Sequence, residues 1–442
     1  LTTFFEQNRR YLTALAYIVA LIVIIAWLAP IVSAPKTYRL AQSGLTGILV
    51  GGVYALVALG IVVINKASGV FNFAHGWMML VGGLIFFSFF NTETVSMPAA
   101  VLLSAFTVAM ALSTLASDDV LRDKTIPPSV EQNPGAFLVY ALRQVVRKLF
   151  LLIFGIFIQA VAVLRTPLRI AGAIGSVIVL TGAMTVGGLD WQWLHAIVGS
   201  ICGATLLGLI IERYTIRPLI GQPLFAAVLV TLALGEGVIR GLTQVAWGSV
   251  ELTLPIFANL SGLGLSQTII FDSKVAFGEA FGGPIVIKVP LLMAFVLALV
   301  TFAGFLFFFQ RTSIGLAMRA TSENQQLAQS VGLRVRVILA VAWATAALLG
   351  ATAGILQGGA TSLSLFMPLV ALRAFPAVLL GGLESIGGAL IGGLIIGFVE
   401  QIATLLFPGQ QAGTELAPYV VLMIVLVIRP EGLFGQKRIE RI

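Results

Sequence analysis

The sequence predicts an all-α polytopic membrane protein of about 12 transmembrane segments, one of them a broken helix, with both termini cytoplasmic. Three observations predict it. Of 442 residues, 59% are hydrophobic and only 10% are charged, against roughly 45–50% and 25% in soluble domains. Apolar runs of about 20 residues, enough to span a bilayer as a helix, recur along the chain. The charges fall mostly between those runs. Such a chain cannot cover its surface with polar groups, which excludes a water-soluble enzyme. Its single cysteine, Cys202, excludes a disulfide scaffold. The net charge of +8 reads as a topology signal, because the basic residues are spread between apolar segments rather than gathered in a nucleic-acid patch.

The first apolar run, Tyr11 to Val32, follows Arg9 and Arg10. It is longer than a signal-peptide core, and Pro35 follows the would-be cut after Ala34, so it reads as an uncleaved helix with a cytoplasmic start. Further spans read as 43–64, 72–90, 98–116, 168–186, 194–211, 222–247, 286–309, 337–360, 365–381, 385–406 and 413–429. Alternating them places Arg213, Arg217, Arg311, Arg319, Arg334, Arg336 and the tail Lys437, Arg438 and Arg441 inside. Only Lys36, Arg39, Lys274 and Lys288 fall outside, which satisfies the positive-inside rule. The run 149–164 is the exception: a full crossing there would invert every later loop, so it reads as a re-entrant or interfacial helix. Within 365–381, Pro368, Arg373 and Pro376 interrupt the apolar pattern, as in a broken or kinked helix.

Much chemistry is missing. With two histidines, His75 and His195, and one cysteine, the chain offers little for a metal site. It has no P-loop and no nucleophile-elbow motif. Energy for active transport would have to come from another subunit.

The remaining polar features sit at defined places. Gly69 to Gly76 puts Asn72 and His75 at the start of an apolar helix, with Asn72 positioned to cap it. Glu236 and Arg240 stand four apart on one helix face, in ion-pairing range. Arg373 and Glu400 read as lone charges within spans. For Asn72, His75, Glu236, Arg240, Arg373 and Glu400 two roles stay open: lining a translocation path, or joining helices. Residues 314–331 carry a helical apolar pattern, a short amphipathic helix closed by Gly332. It suits either the membrane surface or a cytoplasmic partner. Glycine pairs at 381–382, 387–388 and 392–393, with Gly397, predict close helix packing.

Several of these blocks resemble the inner-membrane permease subunits of branched-chain amino-acid ABC importers. They are Asn72-Phe-Ala-His-Gly76, Glu212-Arg-Tyr-Thr-Ile-Arg217-Pro218-Leu219, the loop holding Gly315, Arg319 and Gly332, the run Ala374 through Glu400, and Ile428 to Gly435. The resemblance covers roughly 40–90 and 187–436. It implies a multi-pass subunit of the bacterial inner membrane that has no ATPase of its own. Its partners would be a second permease, homologous or identical, two cytoplasmic ATPases that use ATP and magnesium, and a periplasmic binding protein. It also implies that loop 310–336 couples to the ATPase through Gly315, Arg319, Ala320, Glu323 and Gly332. The expected layout is an N-terminal transmembrane part, 1–90, a family-atypical insert, 91–186, and a C-terminal transmembrane part, 187–442. Neutral amino acids, branched-chain ones first, are the expected substrate, with urea or short amides as the alternative. From other classes, an ATP-independent channel or secondary carrier leaves the docking-like loop unexplained, and a membrane-embedded enzyme lacks a catalytic constellation.

Overall fold

The computed structural model describes residues 37–92, 95–116, 140, 143, 154–186, 191–219, 223–249, 251–257, 268–271, 282–408 and 411–435. The expected first span, 11–32, and the charged stretch 117–139 lie outside the described residues.

At the centre is α1 (Thr37–Ser68), whose 32 residues reach ~48 Å at ~1.5 Å per residue, more than a bilayer core of ~30 Å. It is buried along most of its length, because α13 (Ile386–Leu406), α11 (Val335–Ala360), α8 (Val289–Arg311) and α12 (Pro368–Gly381) all pack on it. The tightest seam is α1 on α13, where glycine faces glycine. A Cβ at Gly47 would lie 2.6 Å from Phe398 Cα, and one at Gly51 would lie 2.8 Å from Gly393 O. With no hydrophobic force between helices in lipid, small residues gain stability by letting backbones approach. The glycine-rich run therefore packs as the sequence predicts, except that a Cβ at Gly387 would meet nothing within 4 Å.

Against this core, α2 (His75–Phe90) packs on α11 and on α6 (Gln192–Ile210). The α6 helix continues as a π-wound turn, Ile211–Ile216, and a last tight turn, Arg217–Leu219. A side layer of α3 (Met97–Ser113) and α5 (Pro167–Thr185) leans on α6. Polar contacts join it: Ser104 Oγ meets Thr181 Oγ1 at 2.7 Å, and Thr107 Oγ1 donates to Cys202 O at 3.3 Å. The helix α4 (Phe154–Val163) buries Ile156 and Ala160 beside Met110, Leu209 and Ala340. Where the sequence reads 149–164 as re-entrant or interfacial, the described part is packed into the side layer on one face. Next, α7 comprises Leu224–Ala233, a π-wound segment Leu234–Ile239, and Arg240–Trp247. Two short helices, α9 (Ser313–Glu323) and α10 (Gln325–Ser330), precede α11, and α14 (Gln411–Ile428) closes the bundle.

Each of the 11 spans read between 43 and 429 falls on a helix. Among the described residues, seven helices are long and apolar enough to cross a membrane: α1, α5, α6 with its continuation, α7, α8, α11 and α13. The chain is a polytopic helical membrane protein. Three expectations change. The all-α reading misses an antiparallel ribbon, β1 (Thr268–Phe271) with β2 (Ile285–Lys288), whose β-branched residues suit a strand. Gln42 anchors it by exchanging hydrogen bonds of 2.6 and 2.7 Å with the Val286 backbone. The amphipathic segment 314–331 is two helices, not one, because the Asn324 side chain caps a new start by accepting from Leu327 N at 2.9 Å. The 365–381 segment is not broken midway. It begins late, at Pro368, and Pro376 is accommodated inside it. Its 14 residues reach only ~21 Å, short of a ~30 Å core.

Candidate functional site

The charges that read as lone are paired. Arg373, on α12, donates from Nη1 to Glu400 Oε1 of α13 at 3.0 Å. Tyr54 of α1 donates its hydroxyl to the other oxygen, Glu400 Oε2, at 2.6 Å. The second Arg373 nitrogen reaches Glu415 Oε1 of α14 at 3.5 Å. Tyr54 and Glu400 are buried, while the Arg373 and Glu415 side chains remain 37% and 49% exposed. The chain of contacts thus runs from the core outward. It is reachable because α13 places Glu400 on the face turned to α1 and α12, near the start of the short α12.

At the outer end of this chain lies a cavity of about 290 Å³ between the end of α11 and the start of α12. Arg373 and Glu415 line it together with Gln357, Thr361, Ser362 and Ser364, and its apolar lining is Phe366, Met367, Leu369 and Val370. Its size is near the low end of ligand pockets, ~300–1,000 Å³. A guanidinium and a carboxylate beside an apolar wall suit a small zwitterion with an apolar side chain.

Glu236 and Arg240 do not join this cluster. They pair with each other at 3.2 Å on exposed α7, and Glu236 Oε1 accepts from Trp77 Nε1 at 3.0 Å. The Arg240 guanidinium lies 5.8 Å from the Trp77 ring centroid. These two charges fasten α7 to α2. Asn72 also acts differently from the expected cap: the helix begins three residues later, at His75. Its Oδ1 accepts from Ala74 N at 3.0 Å, turning the chain into α2. Phe71 and Phe73, beside it, pack on Phe375 of α12, the nearer ring centroids 4.5 Å apart. His75 is fully enclosed, its ring between Gly60 of α1 and Gly350 of α11. Among the described residues neither ring nitrogen is hydrogen-bonded, so it does not join helices by hydrogen bonding.

The coupling-loop residues form a braced surface unit. Gly315 has its Cα against the α8 backbone, where a Cβ would lie 2.6 Å from Phe309 C. Arg319 turns inward: it donates to Phe309 O at 2.5 Å and Gln310 O at 3.4 Å, with its guanidinium 5.5 Å from the Phe309 ring centroid. It thereby satisfies carbonyls that α8 leaves open at its C-terminus. Gly332, with φ of 85°, ends α10 as the sequence predicts. Its N–H bonds to Gln329 O and that of Leu333 to Ala328 O, both at 3.0 Å, the double closure of a Schellman cap. Outward face Ile314, Leu316, Ala320, Glu323, Leu327 and Val331, all exposed. Ala317 and Ala328 pack inward, so the apolar pattern divides between two faces.

Sequence reading misses Tyr54, Glu415 and the role of Arg213. Tyr54 looks like one more aromatic in an apolar run, and Glu415 falls at the start of the span 413–429 with nothing to single it out. Arg213 donates to Ser113 of α3 and Gln159 of α4, fastening the side layer to the end of α6. Beside it the buried Glu212 takes two bonds from Arg217, at 3.1 and 2.9 Å. No group of histidine, cysteine and acidic side chains suited to a metal occurs among the described residues.

A polytopic helical bundle with a braced surface loop and a short helix beside an internal charge cluster suits a membrane transport protein. The family described as the permease component of branched-chain amino acid transport systems matches residues 170–428, more than half of the chain, and the chain belongs to it. It is a permease subunit of an ABC importer. The chain is similar to the high-affinity branched-chain amino acid transport system permease protein BraD of Pseudomonas aeruginosa, 23% identical over 416 residues, 92% of this chain and all of that protein. It is similar to LivH of the same kind of system in Escherichia coli, 27% identical over 272 residues, 60% of this chain and 82% of LivH. The probable LivH permease of Methanocaldococcus jannaschii is 29% identical over 274 residues, 57% of this chain and 84% of its own. No solved structure matches the chain.

Proposed function

We propose that this chain and a second permease, homologous or identical, form the membrane path of an importer for branched-chain or other neutral amino acids. A periplasmic binding protein delivers the substrate, and two cytoplasmic ATPases bind ATP and magnesium; this chain binds neither and catalyses nothing. About 12 segments cross the inner membrane with both termini in the cytoplasm, arranged as parts 1–90, 91–186 and 187–442. The observation that carries this reading is the α9–α10 unit. Its outward face carries Ile314, Leu316, Leu327 and Val331, exposed by 44–71%, while Arg319, Asn324 and Gly332 fix its shape from within. A rigid shape transmits a partner's motion, whereas a floppy loop absorbs it. An exposed apolar patch on a braced element suits a protein partner.

The substrate reading draws on the cavity beside Arg373 and Glu415. A zwitterion offers its carboxylate to the guanidinium and its ammonium to the carboxylate, and its side chain to Met367, Leu369 and Val370. Urea has neither charge and would leave the apolar wall unused, so the amino-acid reading is favoured.

Co-purification from native membranes tests the assembly. An ATPase and a second permease are expected to accompany the chain in stoichiometric amounts. A solitary chain that moves leucine under an ion gradient alone would overturn the reading.

A further inference from the structure

A second cleft lies in the side layer, and it shares no lining residue with the cavity beside Arg373. Its volume is about 770 Å³, and its walls come from α3, α4 and α5, with Val108, Leu112 and Gly172 among the lining residues. Three guanidiniums, of Arg165, Arg169 and Arg334, line it, and no acidic side chain does so among the described residues. Among the described residues none of the three is ion-paired. Two are held in place at the α4–α5 turn: Arg165 Nε donates to Ala162 O at 3.1 Å, and Arg169 Nη1 to Val163 O at 3.3 Å. The third, Arg334, follows Gly332 by two residues and precedes α11. The cleft is therefore on the same side as the α9–α10 unit, the side that the basic residues of the sequence mark as cytoplasmic.

The lining points to the occupant. Val108, Ala111, Leu112, Leu115, Ala162 and Val163 give the cleft apolar walls, the kind of surface that acyl chains cover. A cleft with apolar walls and three cations at one end has the chemistry of an amphiphile's two ends. Basic pockets between transmembrane helices on the cytoplasmic side recognise anionic headgroups in this way. Bidentate donation to phosphate suits arginine in particular. We propose that this cleft binds an anionic phospholipid, its phosphate held by Arg165, Arg169 and Arg334 and its chains lying along α3 and α5. This assignment stands apart from the transport reading.

Native mass spectrometry of the purified full-length chain, in detergent titrated with phosphatidylglycerol or phosphatidylcholine, tests it. Phosphatidylglycerol should be retained in preference. Each arginine lost should weaken retention about fivefold, and the triple variant R165Q/R169Q/R334Q on the order of a hundredfold. Gly172→Leu keeps every charge but fills the cleft, since nothing lies within 4 Å of a Cβ there, and it should also cut retention. Equal retention of the two lipids would overturn the proposal. So would full retention in Gly172→Leu, which would mean surface attraction alone, or complete displacement by millimolar inorganic phosphate, which would mean an anion site without a lipid. Size-exclusion profiles of both variants separate lost binding from lost fold.

Discussion

Glu400 accepts hydrogen bonds at both carboxylate oxygens, from Arg373 at 3.0 Å on one and from Tyr54 at 2.6 Å on the other. A buried carboxylate with both oxygens matched is stable in place. Removing one partner leaves a desolvated charge, which typically costs about 3–5 kcal/mol. Because Arg373 is partly exposed, its loss falls at the low end. Glu400→Ala is expected to lower the unfolding temperature in detergent more than Tyr54→Phe, which removes one charge-assisted bond of about 1.5–3 kcal/mol. Combining R373M with E400L should recover most of the loss, since an apolar pair replaces an ion pair at little net cost. A double variant as unstable as the sum of the two single ones would refute the coupling.

Glu415 supplies the cavity's negative end at a weaker, 3.5 Å contact to Arg373, so its removal should spare the fold and impair the substrate. In proteoliposomes holding the whole importer, Glu415→Gln is expected to slow leucine uptake about tenfold at limiting leucine-loaded binding protein, the loss of roughly 1.4 kcal/mol. The unfolding temperature should stay near that of the unaltered protein. Uptake unchanged in Glu415→Gln would remove the cavity from the path.

The glycine seam makes a graded prediction. At Gly47 an added Cβ meets backbone at 2.6 Å, so Gly47→Ala forces α1 and α13 apart and should destabilise the bundle by about 1–3 kcal/mol. Gly387→Ala meets nothing and removes a flexible residue from a helix, which should be neutral or stabilising by up to about 1 kcal/mol. Thermal melts of the two variants in one detergent settle the order. If both behave alike, helix propensity and not packing governs the two glycines.

Helix positions were legible because length and apolarity alone decide what a bilayer accepts, and the runs from 43 to 429 satisfy both. Their partnerships were not. Arg373 and Glu400 are 27 positions apart on different helices, and no spacing rule joins residues across a turn of chain. Glu236 and Arg240 were legible because four residues on one helix is a local rule. Tyr54 hides for another reason: its ring belongs to the apolar run, and only its hydroxyl takes part. The Asn324 break in the surface helix was in plain view as a capping residue, overridden by a continuous apolar pattern that in fact serves two faces. The β-ribbon escaped because strands as short as Thr268–Phe271 and Ile285–Lys288 carry little periodic signal.

The surface unit gives the sharpest functional test, because its bracing and its exposed face can be altered separately. Gly332 holds a φ of 85°, where a side chain costs roughly 1–2 kcal/mol, so Gly332→Val strains the cap that aims α10 into α11. Arg319→Ala strips the carbonyls of Phe309 and Gln310 of their donor and frees α9 from α8. Both changes leave the outward side chains themselves unaltered, so the ATPases should still bind them. They are expected to keep ATP hydrolysis within about twofold while leucine uptake falls at least tenfold, a difference of about 1.4 kcal/mol or more in coupling. By contrast, Leu316→Asp with Leu327→Asp places charges on the exposed face and should release the ATPases from the complex outright. Loss of binding in the first pair, or intact binding in the second, would show that this face is not the docking surface.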